Sequence, residues 1–160
     1  MKTKSISILL PDLSGGGAER ANLEIAYEFL KRKFKVEFLL MQFRGELLDE
    51  ALASFDVVNL NCPRLRNLTY ILIKHFRKYR PEALIASMWP LTVIAPIAKY
   101  LSRHNCKVIV CEQNNLSAQY RNRGILNWLI MRFSMIFGYR LANSRVCVSK
   151  GIVEEVSKLS

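Results

Sequence analysis

The stretch Ser5–Arg20, "SISILLPDLSGGGAER", sets an apolar run, a three-glycine turn and the start of a helical pattern end to end. "SISILLP", Ser5 to Pro11, is short, apolar and closed by a turn signal, as a buried strand is. From Ala18 to Lys33, the residues Ala21, Leu23, Ile25, Ala26, Phe29 and Leu30 recur around a helix. Three consecutive glycines between the two are costly to order, because glycine loses more backbone freedom on folding than any other residue. What offsets that cost is position. A glycine turn between a strand and a helix N-terminus leaves backbone N–H groups able to point at an anion.

Working outward, the alternation continues. "KVEFLLM", Lys35 to Met41, is a second doubly apolar strand, the kind a parallel sheet buries on both faces. Gly45 to Ser54 is a short acidic helical segment, and "DVVNL", Asp56 to Leu60, a third strand. Arg66 to Arg80 repeats Leu68, Ile71, Leu72 and Phe76 at helical spacing before the strand "ALIAS", Ala83 to Ser87. A helix over Leu91 to Arg103, expected to be kinked or delayed by Pro96, leads to "KVIVC", Lys107 to Cys111. A basic, aromatic helix over about Arg123 to Leu141 leads to "RVCVS", Arg145 to Ser149, and a further helix starts near Lys150 with no C-cap signal before Ser160.

Six strands alternating with helices specify an α/β fold: one doubly wound, mostly parallel, Rossmann-like sheet over residues 1–160. Ligands of such sheets sit at the carboxyl ends of the strands. "DLSGGGAER", "SMWP" and "EQNN" all fall on that edge, after the first, fourth and fifth strands.

The loop fits neither of two common phosphate-binding patterns. G-x-x-x-x-G-K-[ST] needs a lysine that does not follow these glycines, and G-x-G-x-x-G needs a third glycine where Arg20 stands and an acid after the second strand, which ends "FLLM". What remains is a loop that lets a ligand approach the backbone closely, with the helix dipole favouring negative charge and Arg20 one turn inside, or a tight turn with no ligand.

Composition narrows the partners. The 24 basic against 13 acidic residues give +11, which implies an anionic partner: nucleic acid, lipid surface or a phosphorylated small molecule. Nucleic acid is disfavoured, because no reading motif is present and the aromatic residues lie in apolar runs. Cys62, Cys106, Cys111 and Cys147 are scattered without metal-ligand spacing, so reduced, mostly buried thiols are expected. Gly124 to Tyr139 carries Arg132 and is too short to span a bilayer, but it can lie on one.

"GGGAER" after the first strand, "GELLDEA" after the second and "VCVSKGIVEEV" near residue 150, in that order, resemble the N-terminal half of retaining GT-B glycosyltransferases of family four, the "GGxER" type. The resemblance implies metal-independent transfer from a nucleotide-sugar donor, with no cofactor, to a glycan or lipid-linked acceptor in polysaccharide assembly. This half would supply the acceptor side of a cleft, and Gly15, Gly16, Gly17 and Arg20 would face the donor diphosphate. Trp89, Glu112 and Asn114 are the acceptor-side candidates, and no catalytic residue is assigned. The histidine that the family commonly carries after the fourth strand is replaced by Ser87-Met88-Trp89-Pro90, and the one in "EHN" by Gln113; His75 and His104 lie on helix faces or ends.

The resemblance also implies a second, donor-binding domain that residues 1–160 do not contain, so the chain is expected to be inactive alone and to need that domain or a partner chain. A cytoplasmic protein peripheral to the inner face of the membrane is expected. Arg121, Arg123, Arg132 and Arg140 beside Trp128, together with Arg64, Arg66, Lys74, Arg77, Lys78 and Arg80, suit an anionic lipid surface. The apolar face of the later helix suits a sheet cover better, its arginines suit a membrane better, and each basic residue of the earlier helix taken singly suits a solvated face. The alternative function is a non-catalytic module binding a phosphorylated ligand or an anionic membrane.

Overall fold

The computed structural model describes residues 5–113, 125–147 and 152. In chain order its elements are β1 (Ser5–Leu10), α1 (Gly17–Lys31), β2 (Lys35–Leu40), α2 (Leu48–Ser54), β3 (Asp56–Asn59), α3 (Leu65–Tyr79), β4 (Ala83–Ser87), α4 (Leu91–Ser102), β5 (Lys107–Glu112), α5 (Ile125–Leu141) and β6 (Ser144–Cys147). The six strands form one sheet in the order β3-β2-β1-β4-β5-β6, and every pairing is parallel.

The strand alternation divides the core in two. Leu9, Leu39, Leu84, Val108 and Val110 pack with α3, α4 and α5, whereas Ile8, Leu10, Phe38, Leu40 and Ile85 pack with α1 and α2. Both clusters are almost entirely apolar and fully buried, which is why the strands read as continuous apolar runs. From β1 the chain winds outward through β2 to β3, then returns across the sheet to β4 and winds outward the other way. The carboxyl ends of β1 and β4 therefore send their loops in opposite directions, and the crevice between those loops is where such sheets bind ligands.

Element ends differ from the sequence expectations for local reasons. α1 stops at Lys31, since Lys33 adopts a left-handed φ of 63° that ends the helix before β2. Residues 45–47 form a turn, not the first turn of a helix, so α2 is short. Pro96 lies inside α4 and the helix runs on through it; the ring removes the N–H that would bond the Thr92 carbonyl, but it fills a fully buried site. β5 extends to Glu112. The expected helix from Lys150 lies outside the described residues, apart from the buried Ile152 packed in the α3–α5 cluster.

Candidate functional site

The loop from Pro11 to Gly16 is held from below by the turn that follows β2. Leu13 donates its N–H to the Arg44 carbonyl at 3.0 Å and accepts from the Leu47 N–H at 3.0 Å. Gly45 makes that approach possible: its φ is +124°, and a Cβ there would overlap the Leu13 carbonyl. Asp12 ties the loop down again, accepting from both the N–H and the hydroxyl of Ser14, at 3.2 and 2.6 Å, and from the Arg44 Nε at 3.0 Å. Burial pushes the Asp12 carboxyl up, but the Ser14 and Arg44 hydrogen bonds outweigh it and hold it below the usual carboxylate range.

Gly15, Gly16 and Gly17 then carry the chain, exposed, into α1. Gly15 needs its residue type, at φ +91°. Gly16 is the N-cap and offers no side-chain cap, so the first N–H groups of α1 rely on water or a ligand. A Cβ on Gly17 would meet no atom within 4 Å, which leaves open space over the helix N-terminus. Two carboxylates lean on the loop: Glu46 Oε2 lies 3.0 Å from where a Gly15 Cβ would sit, and Glu19 Oε2 2.5 Å from a Gly16 Cβ.

Beneath the crevice, α1 is pinned to β4. The fully buried Ser87 hydroxyl donates to Asn22 Oδ1 at 2.9 Å, while Asn22 Nδ2 donates to the Ala18 carbonyl at 2.8 Å. Beyond β4 the chain turns through Met88, at φ +69°, to a half-buried Trp89 whose indole Nε1 donates to the Ser134 hydroxyl at 3.0 Å. Ser134 in turn donates to the Met131 carbonyl at 2.7 Å. The loop follows β1 and Trp89 follows the neighbouring β4, so both stand at the carboxyl edge of the sheet, with the indole on the α5 side.

Glu112, 1% exposed, takes a hydrogen bond from Thr92 Oγ1 at 2.6 Å and another from the Tyr139 hydroxyl, both on its Oε1. Burial and the neighbouring carboxylate push the Tyr139 hydroxyl well up, which keeps it a donor. This network fastens β5 to α4 and α5 just under the carboxyl edge.

The predicted site residues are therefore distributed as follows. Gly15, Gly16, Gly17 and Trp89 all lie beyond the carboxyl ends of the adjacent strands β1 and β4. Arg20 is turned away: its Nη1 lies 3.1 and 2.8 Å from the two Glu50 oxygens on α2. Glu112 is engaged inside the fold, and Asn114 lies outside the described residues. His75, on the buried face of α3, has its Nε2 3.3 Å from Glu37 Oε1, and His104 contacts the Pro81 carbonyl, so both sit away from the crevice. The thiols are free, and burial raises them all, Cys106 to about 12.

The family model described as Glycosyltransferase Family 4 matches residues 15–160, from the first glycine of the loop onward. The chain belongs to glycosyltransferase family 4. Solved structures with the same fold include the lipopolysaccharide outer core galactosyltransferase WaaB in its apo form, at TM-score 0.68 and 14% identity over 98% of this chain and 42% of that one. Acinetobacter baumannii MurG superposes at TM-score 0.60 and 11% identity, over 90% of this chain and 45% of its own. An alpha-glucosyltransferase in complex with UDP and a 13-mer DNA does so at TM-score 0.55 and 13% identity, over 91% and 38%. The chain spans less than half the length of each. No curated protein matches it.

This family 4 domain has a Rossmann-like fold that matches one half of a GT-B fold. Sequence reasoning found its glycine loop but missed what holds the loop. Asp12 and Arg44 stand 32 positions apart, and neither belongs to a spacing motif. Tyr139 and Ser134 also escaped, since each sits in an apolar helical run that reads as sheet cover.

Proposed function

We propose that this domain is the N-terminal, acceptor-side half of a retaining, metal-independent glycosyltransferase. It uses a nucleotide-sugar donor and a glycan or lipid-linked saccharide acceptor, and a second domain or partner chain supplies the donor-binding wall. The observation that carries the reading is the exposed glycine loop with its uncapped helix N-terminus, set at the crevice between β1 and β4. The donor diphosphate lies on the amides of Gly15, Gly16 and Gly17, which meet the charge growing on the leaving group without having to reorganise. Arg20 reaches the phosphates by leaving its exposed pair with Glu50, an exchange of small cost because both side chains are solvated. Glu19 and Glu46 beside the loop oppose a bare phosphate and match the hydroxyls of the sugar attached to it.

The acceptor enters from the side of Trp89, which can stack on a sugar ring, and Asn114 is a further acceptor-side candidate, while the buried Glu112 fastens β5 to α4 and α5 below that edge. A lipid anchor on that acceptor explains α5. Along its outer side Leu126, Leu129, Ile130, Phe133 and Phe137 are 37 to 68% exposed, an apolar stripe with Arg132 and Arg140 on the same helix. A cytoplasmic protein with α5 lying on an anionic membrane surface suits that stripe and the +11 charge. Among the described residues, no helix is long and apolar enough to cross a membrane.

The test is Gly16→Val in a polypeptide carrying both halves. A Cβ there runs into the Glu19 side chain and narrows the amide cradle, so donor turnover drops by about tenfold or more, within the range that lost preorganised donors cost. Unchanged turnover removes the phosphate from the loop. If a chain carrying both halves binds nucleotide-sugar without transferring it, the reading as a non-catalytic binding module replaces this one.

A further inference from the structure

α5 is apolar on two sides. Its inner side, with Met131, Met135, Gly138 and Tyr139, is buried against α4 and the sheet, while its outer stripe faces away from them. The inner contacts run along the helix, from Trp128 and Met131 to Met135 and Tyr139. Gly138 lies so close to α4 that a Cβ on it would come within 2.8 Å of the Val93 Cα, and Tyr139 is bonded to Glu112. Toward the N-terminus Ile125, Leu126, Leu129 and Ile130 are all exposed. Because α5 leads down into β6, which starts at the amino side of the parallel sheet, its N-terminal half lies toward the carboxyl edge, beside the crevice. Nine residues, 125–133, precede Ser134, about 13 Å of helix at the usual rise.

Ser134 stands midway along α5, between the inner side that Met131 and Met135 bury and the outer stripe of Phe133 and Phe137. Its hydroxyl proton is committed to the Met131 carbonyl of its own helix, so the oxygen that accepts from the Trp89 indole moves with α5. Any shift of α5 at this level either carries Trp89 along or breaks its bond to the helix.

We infer that Ser134 couples the two sides of α5: seating of the outer stripe on a lipid surface fixes the Trp89 wall of the crevice through the Trp89–Ser134 hydrogen bond. The inference rests on the membrane reading of α5 given above. Lipid contacts exist only in the docked state, so they favour whichever position of α5 they require, and the bond passes that preference to the tryptophan. Linkage makes the effect reciprocal: a saccharide held against Trp89 tightens lipid binding by the same factor that lipid tightens saccharide binding.

The chain has two tryptophans, so Trp128→Phe leaves Trp89 as the single indole reporter. Vesicles of equimolar phosphatidylglycerol and phosphatidylcholine are added, co-sedimentation measures docking, and acrylamide quenching measures Trp89. The expected result is docking together with a fall in Trp89 quenching of about twofold, small against usual coupling factors. In Trp128→Phe/Ser134→Ala, docking persists and the quenching change disappears. The same comparison in 5-fluorotryptophan-labelled chain, by fluorine NMR of the Trp89 resonance, keeps the test independent of how Trp128→Phe folds. Docking with an unaltered Trp89 signal overturns the coupling and leaves the membrane reading standing. An equal change with and without Ser134 assigns the effect to direct lipid contact and also overturns it. No docking overturns both.

Discussion

The two walls of the crevice are built on opposite plans. The glycine-loop wall is largely backbone resting on backbone: Leu13 is bonded to Arg44 and Leu47 and buries its side chain in the core below, and Asp12, Ser14 and Arg44 tie the loop down. The Trp89 wall is side chain resting on helix, an indole and a carboxylate bonded to hydroxyls of α4 and α5 over an apolar layer. The difference teaches where each wall is vulnerable. Backbone contact tolerates no added atom, whereas a packed helix can move a few tenths of an ångström.

A glycine in each wall measures that difference, and it carries the largest expected effect. Gly45→Ala places a Cβ on the Leu13 carbonyl at φ +124°, so either the β2 turn or the loop must be displaced. The expected loss is about 3 kcal/mol in urea unfolding, the range for strain combined with a severe overlap. Gly138→Ala meets Val93 at 2.8 to 3.1 Å, and α5 can slide outward on its exposed side. Helix propensity returns part of that penalty, leaving a loss of about 1 kcal/mol or less. Equal effects at the two positions would erase the distinction between the walls.

Asp12 gives a smaller effect, read by pH. Its folded carboxyl is held below the ordinary value, so its contribution is present above the unfolded pKa and is lost as pH falls through the folded one. Asp12→Asn therefore lowers stability near neutral pH by about 1 kcal/mol, as expected for a part-exposed charged hydrogen-bond group, and the loss shrinks on acidification. Chemical denaturation at neutral pH and at pH values below the normal aspartate range checks this. A difference between variant and parent that stays constant with pH would mean that the Ser14 and Arg44 bonds do not act through the carboxylate charge.

How much of each wall could be read from sequence follows from the same contrast. The strand, glycine turn and helix of the loop wall are local, so composition and period placed them within a residue or two, and the fold followed from repetition of that unit. The partners that fix them are not local. Arg44 meets Asp12 only because β2 lies beside β1 in register, Leu10 against Leu40, and no periodicity encodes that pairing. On the other wall, Glu112 was singled out as a polar residue at a strand end, but sequence could not say that Tyr139 and Thr92 would enclose it. Arg20 lies in the first turn of α1, as the helical period implies. Its direction depended on α2, whose start slipped to Leu48 because Gly45 was needed in a turn, bringing Glu50 within reach.

The smallest effect on stability is expected from the outer side of α5, where it is also the most informative. Phe133 is 58% exposed, so Phe133→Ser removes little that folding buries, and unfolding should shift by no more than about 0.5 kcal/mol. Binding to anionic vesicles should weaken severalfold, because one aromatic side chain contributes about 1.5–3 kcal/mol when it passes fully from water to an apolar phase, and partial insertion takes a fraction of that. The two readouts together discriminate between covers for the stripe. If stability falls by several kcal/mol, Phe133 is packed on protein and α5 is an ordinary layer of the domain. If neither readout moves, the stripe contributes nothing at that position, and the helix behind Trp89 is held by its buried inner side, which includes Met131, Met135, Gly138 and Tyr139.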